Sequence, residues 1–239
     1  MDSKLVKEGL NKLLEYIPVE FPAMGWHYSD SQPDDVLTIE LNKRSCMFNH
    51  LKSIARGKGL CFSANRSGCM AGNCYLGFDE LSNMKKRFSS AVSDRENFKK
   101  TKELGNIFAK GVEVTPAKKE FIILKRIEDI KDGIEIEVVV LWVSGLAISG
   151  LTTLANFDKA TNYNVSIPFG SGCQGIWTLP YLEKEKAIIG CIDPSLRWKI
   201  PSNMLSFSVN SKRFVEMTDN ISESFLQKEF WKKALNKSL

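Results

Sequence analysis

The sequence predicts an α/β protein of the mixed α+β kind: a single domain with a mixed sheet and helices on both faces. Runs of β-branched and aromatic residues typical of buried strands, clearest at Ile136–Val143, alternate irregularly with segments whose apolar residues have helical spacing. No Pro/Gly/Ser-rich hinge, internal repeat or low-complexity tract divides the 239 residues. A chain of this length can bury a substantial core, and the irregular alternation favours strands in both directions.

The first part of the domain, about residues 1–115, is predicted to be the helical part that carries most of the cysteines. Apolar residues at helical spacing begin after Ser3 and stop at Pro18, which predicts a first amphipathic helix. The patterns then predict a short strand, a strand at 36–41, a helix at 46–56 that ends at Gly57, a brief strand around Phe62, a short helix at 70–78 and helical structure within 80–110.

The second part, about residues 116–239, is predicted to be rich in strands. Strands are expected at 121–124, 136–143, 165–167, 187–191 and 206–209. Helices are expected at 146–156, at 175–179, from 214 onward and across 225–235.

Charge and hydropathy argue against two classes of partner. The net charge is +5, and acidic residues are scattered among the lysines, so we expect no nucleic-acid binding. Residues 138–157 carry no charge, but their β-branched start and small polar residues favour a buried strand that runs into a helix over a membrane span. No secretory leader pattern follows Met1, and we expect a cytoplasmic protein.

The cysteines are the feature most informative about function. There are six: Cys46, Cys61, Cys69, Cys74, Cys173 and Cys191. Gly68, Gly172 and Gly190 each directly precede one of them. A glycine beside a cysteine lets the backbone wrap around an inorganic group and directs N–H groups at sulfur. This pattern points to a metal or iron–sulfur site.

Individual cysteines also have other interpretations. Cys46 follows a Lys-Arg-Ser segment at the start of a predicted helix, where the helix dipole and the nearby cations favour a thiolate. Cys61 lies between Leu60 and Phe62 and is interpreted as a buried core residue, and Cys74 suits core and ligand equally.

Motifs for other chemistries are absent or weak. No P-loop, GxSxG, HExxH or GxGxxG sequence occurs, and His27 and His50 are the only histidines. His50 is four residues after Cys46, one turn along the predicted helix, so a Cys–His nucleophilic pair is an alternative.

A series of short motifs spans roughly residues 3–217. In order they are Arg44-Ser-Cys46, Ala55-Arg56-Gly57, Gly68-Cys69-x-x-Gly72, Leu76-Gly77, Cys173, Gly190-Cys191, Arg197 and Ile200-Pro201. This order resembles a widespread uncharacterised prokaryotic family, the domain of unknown function numbered 169, common in archaea and anaerobic bacteria. The family has no settled activity to carry over.

The resemblance implies a ligand set. Cysteines at the positions of Cys46, Cys69, Cys173 and Cys191 look like the ligands of one [4Fe–4S] cluster or of a zinc ion, and the other two cysteines look like additions of this sequence. The spacer between Cys191 and Arg197 is longer than the family's tight turn, which puts the role of Arg197 in doubt.

We therefore expect a cytoplasmic protein of an anaerobic prokaryote that holds one [4Fe–4S] cluster and acts in electron transfer, or as an oxidoreductase in a reductive reaction on a small anionic substrate. Four arginines near the cysteines in sequence would bind that anion or a redox partner protein: Arg44, Arg56, Arg66 and Arg197. One alternative is a zinc-binding structural or regulatory module without catalysis. A further alternative is an enzyme with Cys69 or Cys46 as nucleophile and His50 as base.

Overall fold

The computed structural model of the protein describes residues 1–40, 45–64, 68–79, 85 and 88–237. Its strands are β1 Phe21–Ser29, β2 Val36–Thr38, β3 Gly59–Ser63, β4 Phe121–Arg126, β5 Ile136–Val143, β6 Val165–Ser166, β7 Ala187–Gly190 and β8 Leu205–Asn210. They form one eight-stranded sheet in the order β2-β3-β4-β1-β5-β8-β7-β6. The two outer pairs, β2 with β3 and β6 with β7, are parallel, and the other neighbours are antiparallel. The predicted α/β class with a mixed sheet is confirmed.

The α-helices of the described residues are α1 Ser3–Leu14, α2 Leu51–Ala55, α3 Met70–Tyr75, α4 Lys102–Lys110, α5 Gly145–Asn156, α6 Leu179–Leu182, α7 Ser211–Asp219 and α8 Glu229–Asn236. Shorter turns of 3-10 type are Met47–His50, Ile127–Asp129, Pro194–Lys199, Asn220–Ser222 and Phe225–Gln227, and turns of π type are Ala91–Arg95 and Gln174–Thr178. The first predicted helix begins where expected, since Asp2 Oδ1 accepts the Lys4 N–H at 2.7 Å as an N-cap.

Both faces of the sheet are buried, as the alternation along β5 shows. Val138 and Trp142 belong to one hydrophobic core, and Val139 and Leu141 belong to the other. The first core is closed by the cysteine-bearing turns with α2 and α3, while the second is closed by α1, α5, α7 and α8. Helices therefore lie on both faces of the sheet, as predicted.

The uncharged segment at 138–157 is the predicted strand followed by a helix. β5 ends at Val143 and α5 begins at Gly145. Among the described residues, no helix is both long and apolar enough to cross a membrane.

Some elements differ from the sequence prediction. The short strand expected after α1 is β1, nine residues long, and it pairs with β4 on one side and β5 on the other. The helix expected at 46–56 is a 3-10 turn followed by α2, and the C-terminal helix expected at 225–235 is likewise divided. Parts of two predicted elements, residue 41 and residues 80–84 with 86–87, lie outside the described residues.

A close backbone approach positions the turn that follows Cys173. Gly175, in the π-type turn Gln174–Thr178, packs on Gly190 at the end of β7. A Cβ atom added to Gly175 would lie 3.1 Å from the Gly190 Cα. The two glycines therefore allow this turn to pack directly against the sheet.

Gly175→Val should separate the turn from β7. We expect it to destabilise the protein by about 1–3 kcal/mol, the usual cost of adding methyl groups to a packed site. Urea unfolding measures the change. Gly145→Ala is the matched control, because a Cβ there meets nothing within 4 Å; it should change stability by no more than about 0.5 kcal/mol. Equal stability of the two variants would contradict the proposed packing.

Candidate functional site

Four sulfur-containing side chains lie together in the first core, on the face of the sheet that α2 and α3 cover. We call these residues, Cys46, Met47, Cys69 and Cys173, the sulfur cluster. The Cys173 and Cys69 thiols are within hydrogen-bonding distance of each other. The Cys173 Sγ also lies 3.3 Å from the Met47 Sδ. Cys46 is close enough for its charge to act on Cys173 and for the charge of Cys69 to act on Cys46. The fold thus brings together three of the four predicted ligands.

Cys69 is the sulfur with the most hydrogen-bond donors. It lies directly before α3 and accepts hydrogen bonds from the Cys173 thiol and from the backbone N–H groups of Met47 and Gly72. The Cys173 hydrogen bond is the largest effect, and together these donors outweigh burial and lower the Cys69 pKa to about 7. Cys69 therefore loses its proton at a lower pH than an ordinary cysteine.

Gly72 explains the spacing of the Gly-Cys-x-x-Gly motif. A Cβ atom at this position would lie 2.9 Å from the Cys69 Sγ and 3.1 Å from a ring carbon of Phe62. A side chain would therefore collide with the sulfur that the Gly72 N–H now reaches.

Cys173 is the protonated partner of this pair. It directly precedes the π-type turn, is 4 % exposed, and has its pKa raised well above the ordinary value by the hydrogen bond it donates to Cys69 and by burial. When the pair loses its first proton, the negative charge is therefore on Cys69 and Cys173 stays a thiol.

The described surroundings of Cys46 disfavour a thiolate, whereas Lys43 and Arg44, the cations on which the prediction rested, lie outside the described residues. Burial is the largest influence on this side chain and raises its pKa, despite the Phe48 N–H hydrogen bond and the charge of Lys199. Cys46 precedes the 3-10 turn Met47–His50, which is followed directly by the five-residue α2, in place of the single α-helix that was predicted.

Cys191 lies at the end of β7, beside the sulfur cluster. Its backbone is left-handed, with φ at 60°, and burial raises its pKa to about 12. The charge of Cys46 also acts on it. Cys191 is thus within electrostatic range of the cluster, but its thiol is not in the hydrogen-bonded pair.

Arg197 holds the loop that follows Cys191. Its guanidinium donates to the carbonyl oxygens of Cys191 at 3.0 Å and Met204 at 2.7 Å, and to those of Pro201 and Ser202 at 2.9 and 2.7 Å. Four backbone acceptors engage this side chain, so its role is to fix the loop; the predicted binding of an anion does not fit this arrangement.

Of the other three predicted arginines, Arg56 is the one that the structure describes. Arg56 is exposed at the end of α2 and is not among the residues that line the cavity next to the cluster. Arg44 and Arg66 lie outside the described residues.

The remaining cysteines lie elsewhere in the core. Cys61 is buried in β3 with Phe121 and Ile123, in a small hydrophobic group separate from the sulfur cluster. Cys74 is buried in α3, and burial raises its pKa to about 11.

The two histidines have recorded neighbours other than cysteine. Nε2 of His50 lies 3.4 Å from the Ser45 hydroxyl, at the end of the 3-10 turn Met47–His50. His27 is buried in β1 near Lys125 and Asp35, and burial lowers its pKa to about 4. The geometry therefore gives no support to His50 as a base for Cys46.

A cavity of about 210 Å³ opens beside the sulfur cluster. Its wall includes Cys46, Cys173 and the Gly170–Ser171–Gly172 segment, with phenyl rings and charged groups on the other sides. Gly172 is needed at this wall, since a Cβ there would lie 2.4 Å from Leu196 and 2.8 Å from Phe48. Two cysteine side chains thus face a space that a small molecule can enter.

A buried polar atom next to the cluster lacks a partner. Tyr75 is 1 % exposed, and its hydroxyl has no hydrogen-bond partner among the described residues. Burial and then the charge of Cys173 raise the pKa of this phenol, which places it near that sulfur. Such an orphaned group is a recognised sign of a bound group or water nearby.

Sequence reasoning missed three contributors to this site: Met47, Lys199 and the phenylalanines of the cavity. Met47 had one weak signal, its position next to Cys46. Lys199 is 130 residues beyond Cys69 in the chain, and nothing in its sequence surroundings indicates that its charge acts on Cys46 and Cys69.

Comparison with known proteins identifies the family of the chain. Residues 12–220 match the domain-of-unknown-function family 169, described as uncharacterised ArCR, and the chain belongs to that family. No curated protein and no solved structure matches the chain. Because the family is uncharacterised, the reaction has to be argued from the site.

The hydrogen bond from Cys173 predicts how Cys69 titrates. In metal-free protein, thiolate absorbance in the ultraviolet should rise with a midpoint near pH 7, and Cys173→Ala should move this midpoint upward toward the ordinary value of 9.0 because the strongest donor is lost. Cys74→Ala is the control and should leave the midpoint unchanged. A midpoint that survives in Cys69→Ala would assign the titration to another group.

Proposed function

We propose that the sulfur cluster is a thiolate site for a metal centre, a [4Fe–4S] cluster, ligated by Cys46, Cys69 and Cys173 with Cys191 as the fourth ligand. The observation that carries this proposal is the convergence of these side chains: Cys173 contacts Met47, 126 positions away in the chain, and Cys69 at once. Soft sulfur donors of this kind select iron–sulfur clusters, zinc or copper(I).

The donor chemistry fits a metal centre in two respects. Cys69 accepts hydrogen bonds from backbone N–H groups, and such bonds tune thiolate ligands in iron–sulfur sites. The Tyr75 hydroxyl, which has no hydrogen-bond partner among the described residues, lies near Cys173. Within the described ranges, no group of three or more His, Cys, Asp or Glu side chains is arranged to hold one metal ion. In a [4Fe–4S] cluster each thiolate binds a different iron, whereas the ligands of the zinc alternative all meet at one ion, so metal analysis separates the two.

A [4Fe–4S] cluster bound at this site would supply one-electron transfer. The chain itself provides the surroundings: the Met47 and Gly72 N–H groups stabilise negative charge on Cys69, and Lys199 adds a positive charge near Cys46 and Cys69. The adjacent cavity would place a small substrate next to Cys46 and Cys173. We infer a redox protein or an oxidoreductase that acts on a small anion or exchanges electrons with a partner protein.

A reducing compartment suits this role. None of the six cysteines, all of which the structure describes, is in a disulfide. Free thiols at this density are typical of the cytoplasm, which is where we propose that the protein works.

Metal analysis of protein purified without oxygen tests the proposal. We expect iron, acid-labile sulfide and a brown colour in the unmodified protein, and a large loss of iron in Cys69→Ser, Cys173→Ser and Cys191→Ser, because a hydroxyl replaces a soft thiolate. Cys61→Ser is the matched control and should retain its iron, since Cys61 lies in a separate hydrophobic group. Zinc without iron would support the structural alternative, and protein free of both metals would refute the metal site.

A second candidate function rests on the direct contact between Cys69 and Cys173. A thiolate beside a thiol is the reduced form of a redox-active pair. In this reaction the two thiols would lose two electrons and two protons, form one disulfide, and reduce a substrate disulfide to two thiols.

Mass spectrometry distinguishes this candidate. Metal-free protein treated with oxidised glutathione should lose two hydrogen atoms and yield a peptide cross-linked through Cys69 and Cys173. Cys46→Ala should still form the cross-link, whereas Cys173→Ala should not. Failure of the unmodified protein to form it would rule out the thiol–disulfide reaction.

A further inference from the structure

We propose that the cavity beside the sulfur cluster binds a small organic anion with a compact apolar body, held at its charged end by Lys199. This inference deepens the proposed function, because it names the class of substrate that would lie next to Cys46 and Cys173. The binding itself does not require a metal centre.

The wall of the cavity sets the shape of the ligand. Phe48, Phe88, Phe98 and Phe169 line it, together with the buried Val92. A volume of about 210 Å³ is below the usual range for drug-sized ligands, about 300–1,000 Å³. Nucleotides and large cofactors are too bulky, and a single ring or a short branched chain is the apolar body that this space favours.

The phenylalanines are fixed by one another. Phe98 and Phe108 both pack against Phe169, at ring-centroid distances of 5.5 and 5.6 Å, and Phe88 stacks on Phe108 at 5.4 Å. Aromatic rings held in this way form a rigid wall, which lowers the entropic cost of binding an apolar group.

The charged groups that line the cavity are two carboxylates, Glu96 and Asp193, and two cations, Arg95 and Lys199. Glu96 forms an ion pair with Arg95 at 2.9 Å. Asp193 keeps its negative charge, and its Oδ1 accepts hydrogen bonds from the N–H and the hydroxyl of Ser195, each at 2.9 Å. The Arg95 side chain is 74 % exposed and points its charge largely into solvent.

Lys199 is the second cation that lines the cavity. Its ammonium donates to the neutral Asn49 Oδ1 at 3.0 Å and lies 3.8 Å from the centroid of the Trp198 ring, and within the described residues it has no carboxylate partner. Its charge acts on both Cys46 and Cys69. A carboxylate held by Lys199 would therefore lie close to the sulfur cluster, with its apolar body among the rings.

Calorimetric titration with benzoate tests this directly, because benzoate combines one ring with one carboxylate. Benzyl alcohol keeps the ring without the charge, and acetate keeps the charge without the ring. We expect benzoate to bind, and each of the other two probes to bind at least about tenfold more weakly, since a charge-assisted hydrogen bond or the burial of a ring contributes that much.

Variants locate the binding. Lys199→Met should weaken benzoate binding about tenfold or more, and Lys199→Arg should restore most of it. Lys52→Met is the matched control: it removes the same charge from the exposed face of α2, away from the cavity, and should have no effect. Ala71→Phe fills the cavity from an exposed position, so it should abolish binding while the protein still unfolds at the same urea concentration.

The outcomes separate this inference from the proposed function. Equal binding of benzoate and benzyl alcohol, or equal losses in Lys199→Met and Lys52→Met, would overturn the anion site. Iron is measured on the same samples. Protein that retains iron but binds no benzoate contradicts only this inference, and protein that binds benzoate but contains no metal contradicts only the proposed metal centre.

Discussion

The close packing of Gly175 on Gly190 is the constraint on which the site depends. Because neither residue has a side chain, the turn that follows Cys173 lies directly on the end of β7. Cys173 is thereby held against Cys69, and Cys191 follows Gly190 on the other side of the same contact. The turn after Cys173 and the end of β7 are thus held together by contact between backbone atoms. Close packing of this kind leaves them little freedom to move.

The second determinant is electrostatic, and it acts within a largely buried group of sulfur atoms. Burial alone raises the pKa of a thiol, as it does for Cys46, Cys74 and Cys191. Cys69 differs because three donors reach its sulfur, two of them backbone N–H groups that cannot turn away. The fold therefore creates one site of negative charge beside several neutral thiols. One thiolate beside neutral thiols suits both proposed functions. It can bind a positively charged metal centre, or it can attack another sulfur atom.

The sequence predicted the architecture better than the site. The apolar runs at β5 and α5 indicated a buried strand followed by a helix. Both elements are largely buried over eight residues or more, which is long enough to leave a clear pattern of apolar residues in the sequence. The central position of β1 was not visible, since pairing between distant strands leaves no local pattern. Glycine next to cysteine drew attention to Cys69, Cys173 and Cys191. The described contacts of Cys46 disfavour the expected thiolate, and the hydrogen bonds of Arg197 do not fit the expected anion-binding role. In both cases tertiary contacts decided: burial for the thiol, and four backbone carbonyls for the guanidinium.

The arrangement of the strands also bears on how another protein can approach this one. The sheet ends in β2 on one side and β6 on the other, strands of three and two residues. Such short borders present few unpaired backbone groups, and a peptide that bound by extending the sheet would gain few hydrogen bonds. An electron donor or another protein therefore has to recognise side chains of the surrounding helices and turns. The short edge strands also disfavour edge-to-edge pairing of sheets from different copies of the chain, the first step toward fibrils.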